Sequence, residues 1–443
     1  LENLTGQKKP PGVLASGLSV LRQGFATSIP LTARRLLAAR FWRSIAHGIL
    51  VVDLALYLNA LHWRGAVIGG VLGAAGLTAA VLSVGVGMAS DRLGRKSFLM
   101  AYEALCCLCG LVAFFARSPV LLGAAIILAD FGRGANGAAG PMAPAEDGWM
   151  ADVVEPRVRG YVFSVKSAIG FSGMAIGALL AMLPAFWQSS LGPADCYRPI
   201  FLVVVIGNAA NLWILARLPE LSHAPAPPAS ATPQATALPP TSTQETQARE
   251  NQFLRRLAAL NALNGFAVGL TSPLMAYWFQ QRFHVGPAEI APVISLTCLG
   301  IAAVSLFNGV MTQRVGLVNS VVWARGSGLV LLFLQPLMPF YLLAATFHVL
   351  RSALSLGTIG ARSALVVSAV RNQRRGLASS VNIISGRFPQ SLGPVVAGTL
   401  IGAGRFVMPF CLAAACQAAY VYLFGLLFRR VEEDMHKKQC SQA

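Results

Sequence analysis

Twelve apolar runs, each long enough to cross a bilayer as a helix, constrain this chain more than any other feature. They lie near residues 44–63, 66–88, 97–116, 120–143, 160–186 and 200–217, then near 257–280, 290–311, 318–337, 339–361, 377–402 and 406–428. About 20 apolar residues span the ~30 Å of hydrocarbon, and a backbone inside lipid must satisfy its own hydrogen bonds. The expected fold is therefore an all-α membrane protein with twelve transmembrane helices. Composition agrees, with 55% hydrophobic and 12% charged residues and a mean hydropathy of +0.61. That is about half the charge of an ordinary soluble chain.

The runs fall into two sets of six. Between them, residues 218–256 are rich in Pro, Ala, Thr, Ser and Gln, with too few apolar side chains for a core. That stretch reads as a disordered cytoplasmic linker. The boundaries are then a basic amino-terminal tail over 1–42, bundles over 43–217 and 257–430, and a tail over 431–443. Gly69, Gly73 and Gly76, like Gly170, Gly173 and Gly177, recur at helical spacing and suit close helix packing.

The formal charge of +18 would suit a nucleic-acid binder if it formed one surface. It does not. Loops on one side hold Arg92, Arg95, Lys96, Arg157, Arg159, Arg217, Arg314, Arg362, Arg371, Arg374 and Arg375, while loops on the other hold Arg64, Arg117, Arg198, Arg282 and Arg405. This asymmetry is an orientation signal and places both termini in the cytoplasm of a cell (inner) membrane. The basic amino tail, with Glu2 as its acid, fits a cytoplasmic tail, an organelle transit peptide being the other reading. Cys106, Cys107, Cys109, Cys298, Cys411 and Cys416 lie in apolar runs and define no disulfide framework.

One charged stretch interrupts the apolar pattern with recognisable spacing: Gly87-Met88-Ala89-Ser90-Asp91-Arg92-Leu93-Gly94-Arg95-Lys96. The pattern G-x-x-x-D-R-x-G-R-K resembles the signature loop between the second and third helices of the major facilitator superfamily, in its exporter-like branches. A degraded second copy, Gly309 to Gly316, carries Gln313 where the first has Asp91. Arg133 with Arg159-Gly160, and Arg351 with Arg375-Gly376, are similar to the family's fourth-helix Arg and the Arg-Gly that opens the fifth. The resemblance implies two pseudo-symmetric six-helix bundles that rock around a midplane site. It also implies a conformational latch of Gly87, Asp91, Arg92, Gly94, Arg95 and Asp152 joining the inner ends of the bundles. Drug-exporting branches carry Gly-Pro in the fifth helix, whereas here Ala178 follows Gly177.

Ionisable groups within the runs are the other candidates, since each costs about 2.5 kcal/mol or more at the bilayer centre unless paired or hydrated. Asp53 lies mid-run with Tyr57 one turn on, and such a carboxylate can exchange a proton as its surroundings alternate between wet and dry. Asp130 and Arg133 sit at a spacing that pairs on a helix, and Glu103 is a further candidate for proton coupling. Arg133, Lys166, Arg351 and Arg387 outnumber these acids, which favours an anionic solute unless they snorkel or pair across helices. Asn264 and Asn382, with Asn261 and Gln390 beside them, either line the cavity or tie helices together.

Cys106-Cys107-Leu108-Cys109, with His47 and His348, reads as packing rather than a metal path. No ATP-binding or hydrolase motif is present, so neither enzyme activity, a cofactor nor a metal is expected. The reading is a monomeric secondary transporter exporting a small organic solute against protons. A facilitator or proton symporter for an organic anion is the alternative, and a non-transporting receptor or scaffold is the alternative of another class.

Overall fold

The computed structural model describes residues 29–132, 140–155, 159–219, 240–315, 317–358 and 375–440, and every regular element among them is helical. The first half contains α1 (Leu31–Ala60), α2 (Gly65–Leu93), α3 (Arg95–Phe115), α4 (Pro119–Leu128) and α5 (Ala143–Val153). It continues through α6 (Arg159–Leu180), α7 (Pro184–Leu191) and α8 (Ile200–Ala216). The second half contains α9 (Pro240–Thr271), α10 (Met275–Phe283), α11 (Pro287–Val315) and α12 (Leu317–Leu334). It ends with α13 (Tyr341–Leu356), α14 (Arg375–Gly402) and α15 (Met408–Cys440).

Eight of the described helices are long and apolar enough to cross a membrane, and α9 with α10 forms a ninth, bent span. The segments α4–α5, α13 and α14 occupy the remaining places of the expected twelve. The expected continuous runs are interrupted where the sequence supplies breakers. Pro273 lies in the 43° bend between α9 and α10, where its ring and missing N–H stop the helix. The fourth run stops at Leu128 because Asp130 and Gly132 turn to positive φ, at 52° and 89°.

Two boundaries differ from the sequence expectation. The helix α1 starts at Leu31, inside the stretch read as a tail, because Ala33, Leu36, Leu37 and Ala39 are buried against the core. Likewise α9 starts at Pro240, inside the stretch read as a linker, and buries Phe253 and Leu254 against Tyr420, Phe424 and Phe428. The signature stretch is also more helical than a loop. Helix α2 runs through Leu93 and α3 begins at Arg95, leaving Gly94 with φ 95° as the whole connection. In the second copy α11 ends at Val315 and α12 begins at Leu317.

Helices pack here through surface fit, because lipid tails are as apolar as the side chains they replace. Helix α1 lies against α6 and α8, and α9 lies against α14 and α15. Across the halves α2 meets α14, and α6 meets α11. A Cβ at Gly177 would sit 2.1 Å from Ile45 O, and one at Gly69 would sit 2.1 Å from Pro394 O. Gly94 marks one end of the bundle, the loop end; Gly404, in the turn between α14 and α15, marks the far end. At the loop end Lys96 Nζ donates to Ala216 O at 3.0 Å and Leu218 O at 2.7 Å, satisfying carbonyls at the close of α8.

Candidate functional site

The first half is built around a buried ionic cluster. Arg40 and Arg43, one turn apart on α1, face α3 and α5. Arg43 Nη1 lies 3.1 Å from Glu103 Oε1, and its Nη2 lies 3.5 Å from Glu146 Oε2. Arg40 Nη1 lies 3.1 Å from Glu146 Oε1, and Lys166 Nζ reaches the same oxygen at 2.9 Å. Lys166 also bonds Asp147. Three cations thus face three acids across α1, α3, α5 and α6, and Glu146 is the hub. Gly170 fits beside Arg40 because a Cβ there would lie 3.0 Å from the guanidinium Nε.

Toward the loop end, Arg95 donates to Asp152. Gly148 keeps that path clear, since a Cβ there would lie 2.8 Å from Arg95 Cζ. The contact ties α3 to α5 within one half and does not by itself join the two bundles, unlike the latch expected from the sequence. Gly87, Asp91 and Arg92 lie along the last turns of α2, with their side chains outside the described residues.

Asp53 is fully buried on α1, and neither carboxylate oxygen has a hydrogen-bond partner among the described residues. Its surroundings are Tyr57, whose ring centroid lies 6.1 Å from that of Tyr197 and 5.7 Å from that of Phe201, and the nearby Cys196. Asp130 is buried and lies past the end of α4, and its expected pairing with Arg133 lies outside the described residues. Arg133 itself lies outside the described residues. Glu103 is the partner of Arg43.

The second half holds a cavity walled by α9 to α13 and α15, with Val51 contributed by α1. Val51 and Asp53 are about 200° apart around the helix, so Asp53 points away from this cavity. Arg351 lines it, and among the described residues its Nε has no hydrogen-bond partner. His348 lines it one turn away, 4% exposed, with Nδ1 unpartnered among the described residues. Arg325, on α12, also lines it. Its Nε donates to Thr358 Oγ1 at 3.2 Å, its Nη2 to Ser355 O at 3.3 Å, and its Nη1 to Asn264. The guanidinium lies 4.9 Å over the Tyr420 ring.

The other sequence candidates have different partners. Asn264 lies behind the wall and accepts from Arg325 and from Gln417 Nε2 at 3.1 Å. Asn382 accepts from Asn261 Nδ2 at 3.0 Å and so ties α14 to α9. Lys166 belongs to the ionic cluster. Arg387 crosses between halves, reaching Ser83 Oγ at 2.5 Å and Gly140 O at 3.4 Å. Arg40, Arg43, Glu146 and Arg325 were not singled out from the sequence. Arg325 was findable, as a lone cation inside an apolar run. Glu146 was hidden because its segment, just after the fourth run, carries Pro141 and Pro144 and looks like a loop.

This geometry has counterparts among known proteins. A family model described as Major Facilitator Superfamily matches residues 36–260 and 257–439. The chain belongs to the Major Facilitator Superfamily. Its fold is similar to that of a variant of the nucleoside transporter NupG, at 15% identity over 90% of this chain and 100% of that one, with a TM-score of 0.68. It is also similar to an inward-facing, unoccupied bacterial homolog of the human lysosomal transporter Spinster, at 14% identity, 92% and 99% coverage and a TM-score of 0.66. A D-xylose–proton symporter matches at 12% identity, 88% and 96% coverage and a TM-score of 0.65. An uncharacterized membrane protein of Saccharomyces cerevisiae is 20% identical over 427 residues, covering 90% of this chain and 95% of that protein. At these identities the likeness shows the fold alone. Membership of the family makes the protein a multi-pass membrane transporter of a small molecule, not an enzyme.

Proposed function

We propose that this transporter moves a small organic solute by alternating access, coupled to protons, with export as its working direction. The observation that carries the coupling is Asp53, a buried carboxylate on α1 with no counter-charge or hydrogen bond among the described residues. A proton supplies the compensation that the protein withholds, and hydration in the alternate state removes the need for it. Glu103, Asp130 and Arg133 complete the proposed coupling set.

The joints between the halves support rocking. At the far end Asn59 Nδ2 donates to Gln280 Oε1 at 3.0 Å, and Gln281 Nε2 donates to Asn59 Oδ1 at 3.3 Å. Neutral, part-buried amide pairs of this kind exchange for water at about 0.5 kcal/mol each, so they close a gate without locking it. The basic loop end is proposed to face the cytoplasm, with the protein as a monomer in the cell membrane.

The test is proton movement in proteoliposomes loaded with a pH dye, over a panel of organic anions, neutral solutes and lipophilic cations. Solute-dependent proton flux in the wild type, with solute flux uncoupled in Asp53→Asn, is the expected result. Protons running against the solute mark export and protons running with it mark uptake. Coupled flux surviving in Asp53→Asn removes Asp53 from the mechanism. Absence of any flux across the panel favours the non-transporting scaffold.

A further inference from the structure

We propose that the cavity of the second half is an anion site, in which Arg351 binds the acidic group of a small organic anion whose body lies on the apolar wall. This rests on the reading of the chain as a solute carrier and names the class of solute.

Charge is the first ground. From residue 257 to 430 the chain contains one acid, Glu289, and that residue is exposed in the first turn of α11. Its Oε2 accepts from Gly286 N at 2.9 Å, and its backbone oxygen accepts from Tyr341 Oη at 2.7 Å. Among the described residues no acidic side chain lines the cavity, although Arg325 and Arg351 both do. Val51 is the lining residue from the first half, so no acid enters from that side either. Arg351 therefore faces a membrane-embedded space with no acidic side chain among the described residues of its lining. A buried charge in that situation is costly unless something of opposite sign joins it.

The two arginines are held differently, and that difference assigns their roles. Arg325 is fixed by Thr358, Ser355, Asn264 and the Tyr420 face, all neutral, so it is a preset positive wall. Arg351 keeps an unpartnered Nε among the described residues, and its planar fork suits a bidentate oxyacid. His348 lies one turn away on the same helix, with its ring 5.8 Å from Phe279 and an unpartnered Nδ1 beside the same space. Ser352 and Thr271 add hydroxyls, while Leu329 and Leu332 supply apolar wall. The lining therefore fits a carboxylate, sulfonate or phosphate monoester on an apolar body. A free solute and a single-chain anionic lipid present the same chemistry.

Binding to the full-length protein in nanodiscs of neutral lipid tests this without requiring transport. The probes are phenylacetate, phenylmethanesulfonate and benzyl phosphate, set against the neutral phenylacetamide and the cationic phenethylammonium, read by calorimetry and thermal shift. At least one anion should bind tighter than phenylacetamide, and phenethylammonium should not bind. Arg351→Gln should weaken that anion by at least about ten-fold, while Arg351→Lys, which keeps the charge, retains part of the affinity. Size-exclusion profiles and wild-type-like melting of the free variants establish that both are folded.

Displacement by a single-chain anionic phospholipid, and failure of displacement, separate the lipid from the free-solute source, and both leave the anion site standing. Anions binding no better than phenylacetamide, or Arg351→Gln binding anions as the wild type does, overturns the site. Proton-coupled flux of a neutral or cationic solute, unaffected by Arg351→Gln, also overturns it and leaves the carrier reading intact. Anion binding without proton-coupled flux has the opposite meaning.

Discussion

The two halves share a fold and differ in how they treat charge. Residues 43–217 include Asp53, Asp91, Glu103, Asp130, Glu146, Asp147, Asp152, Glu155 and Asp195, whereas residues 257–430 include Glu289 alone. In the first half buried cations meet buried acids, with Glu146 shared by Arg40, Arg43 and Lys166. In the second half Arg325 rests on dipoles and a ring face, and Arg351 faces open space. A closed ionic set fixes the positions of four helices and leaves little charge for a ligand to answer. An open set is less tightly cross-linked and keeps its charge available. The same repeat thus yields a charge-locked half and a half with a charge to share.

The sharpest way to break that contrast is to neutralise one charge on each side. Glu146→Gln leaves three buried cations short of their shared partner and should destabilise the protein by about 3–5 kcal/mol. Arg351→Gln leaves no acid orphaned, so it should be neutral or slightly stabilising, within about 1 kcal/mol. Thermal unfolding of the two purified variants gives the comparison directly. Equal losses would mean that Arg351 has a structural counter-charge and that the halves are not different in kind.

Much of the fold was legible because lipid leaves few choices. Apolar length and the charged breaks between runs follow from the cost of bare backbone or charge in hydrocarbon. Gly94 and its counterpart position are visible as breaks between runs. The internal breaks were harder to read. Pro273 was visible, but the stop at Leu128 depends on Asp130 and Gly132 adopting positive φ, which no apolar count reveals. The sites were legible one residue at a time and not as sets. Asp53, Glu103, Lys166, Arg351 and Arg387 stand out as polar groups in apolar runs. That Glu103 and Lys166 join one cluster while Arg351 faces a cavity depends on which helices touch. A single sequence carries no record of those contacts.

Charge also gives way to surface fit at the seam between the halves, and glycine substitutions sharpen this second contrast. Gly69→Ala would push a methyl to within 2.1 Å of Pro394 O, whereas Gly85, on the same helix, has nothing within 4 Å of a built Cβ. Overpacking at Gly69 should cost about 1–3 kcal/mol. Gly85→Ala should be stabilising by up to about 1 kcal/mol, since it exchanges a helical glycine for alanine. Melting temperatures of both variants test the seam. Matching values would mean that α2 and α14 can separate slightly at no cost.

The far-end gate has a smaller expected energy and a clearer readout. Asn59→Ala removes the amide contacts to Gln280 and Gln281, worth about 1 kcal/mol in sum. A change of that size shifts a two-state equilibrium roughly five-fold. Spin labels at His62 and His284, one on each half, should show the separated far end gaining that share. An unchanged distance distribution would assign closure to the glycine seam alone.

The smallest effect lies at the rim of the charge-locked half. Asp152 is 54% exposed where Arg95 reaches it, so the pair should contribute about 0–1 kcal/mol and be screened by salt. Asp152→Asn should therefore leave the melting temperature nearly unchanged, unlike Glu146→Gln on the same helix. Turnover is a different quantity, because a step that moves the end of α5 must break this contact each cycle. A difference of about 1 kcal/mol between states alters their ratio roughly five-fold even when neither state unfolds. Proton flux measured at low salt should thus differ between the wild type and Asp152→Asn by up to about five-fold. Raising the salt should bring the wild type toward the variant, since screening weakens the same contact. Equal flux at low salt would make Arg95–Asp152 a solvated surface pair, and the ionic bonds that matter to the first half would then be confined to its buried cluster.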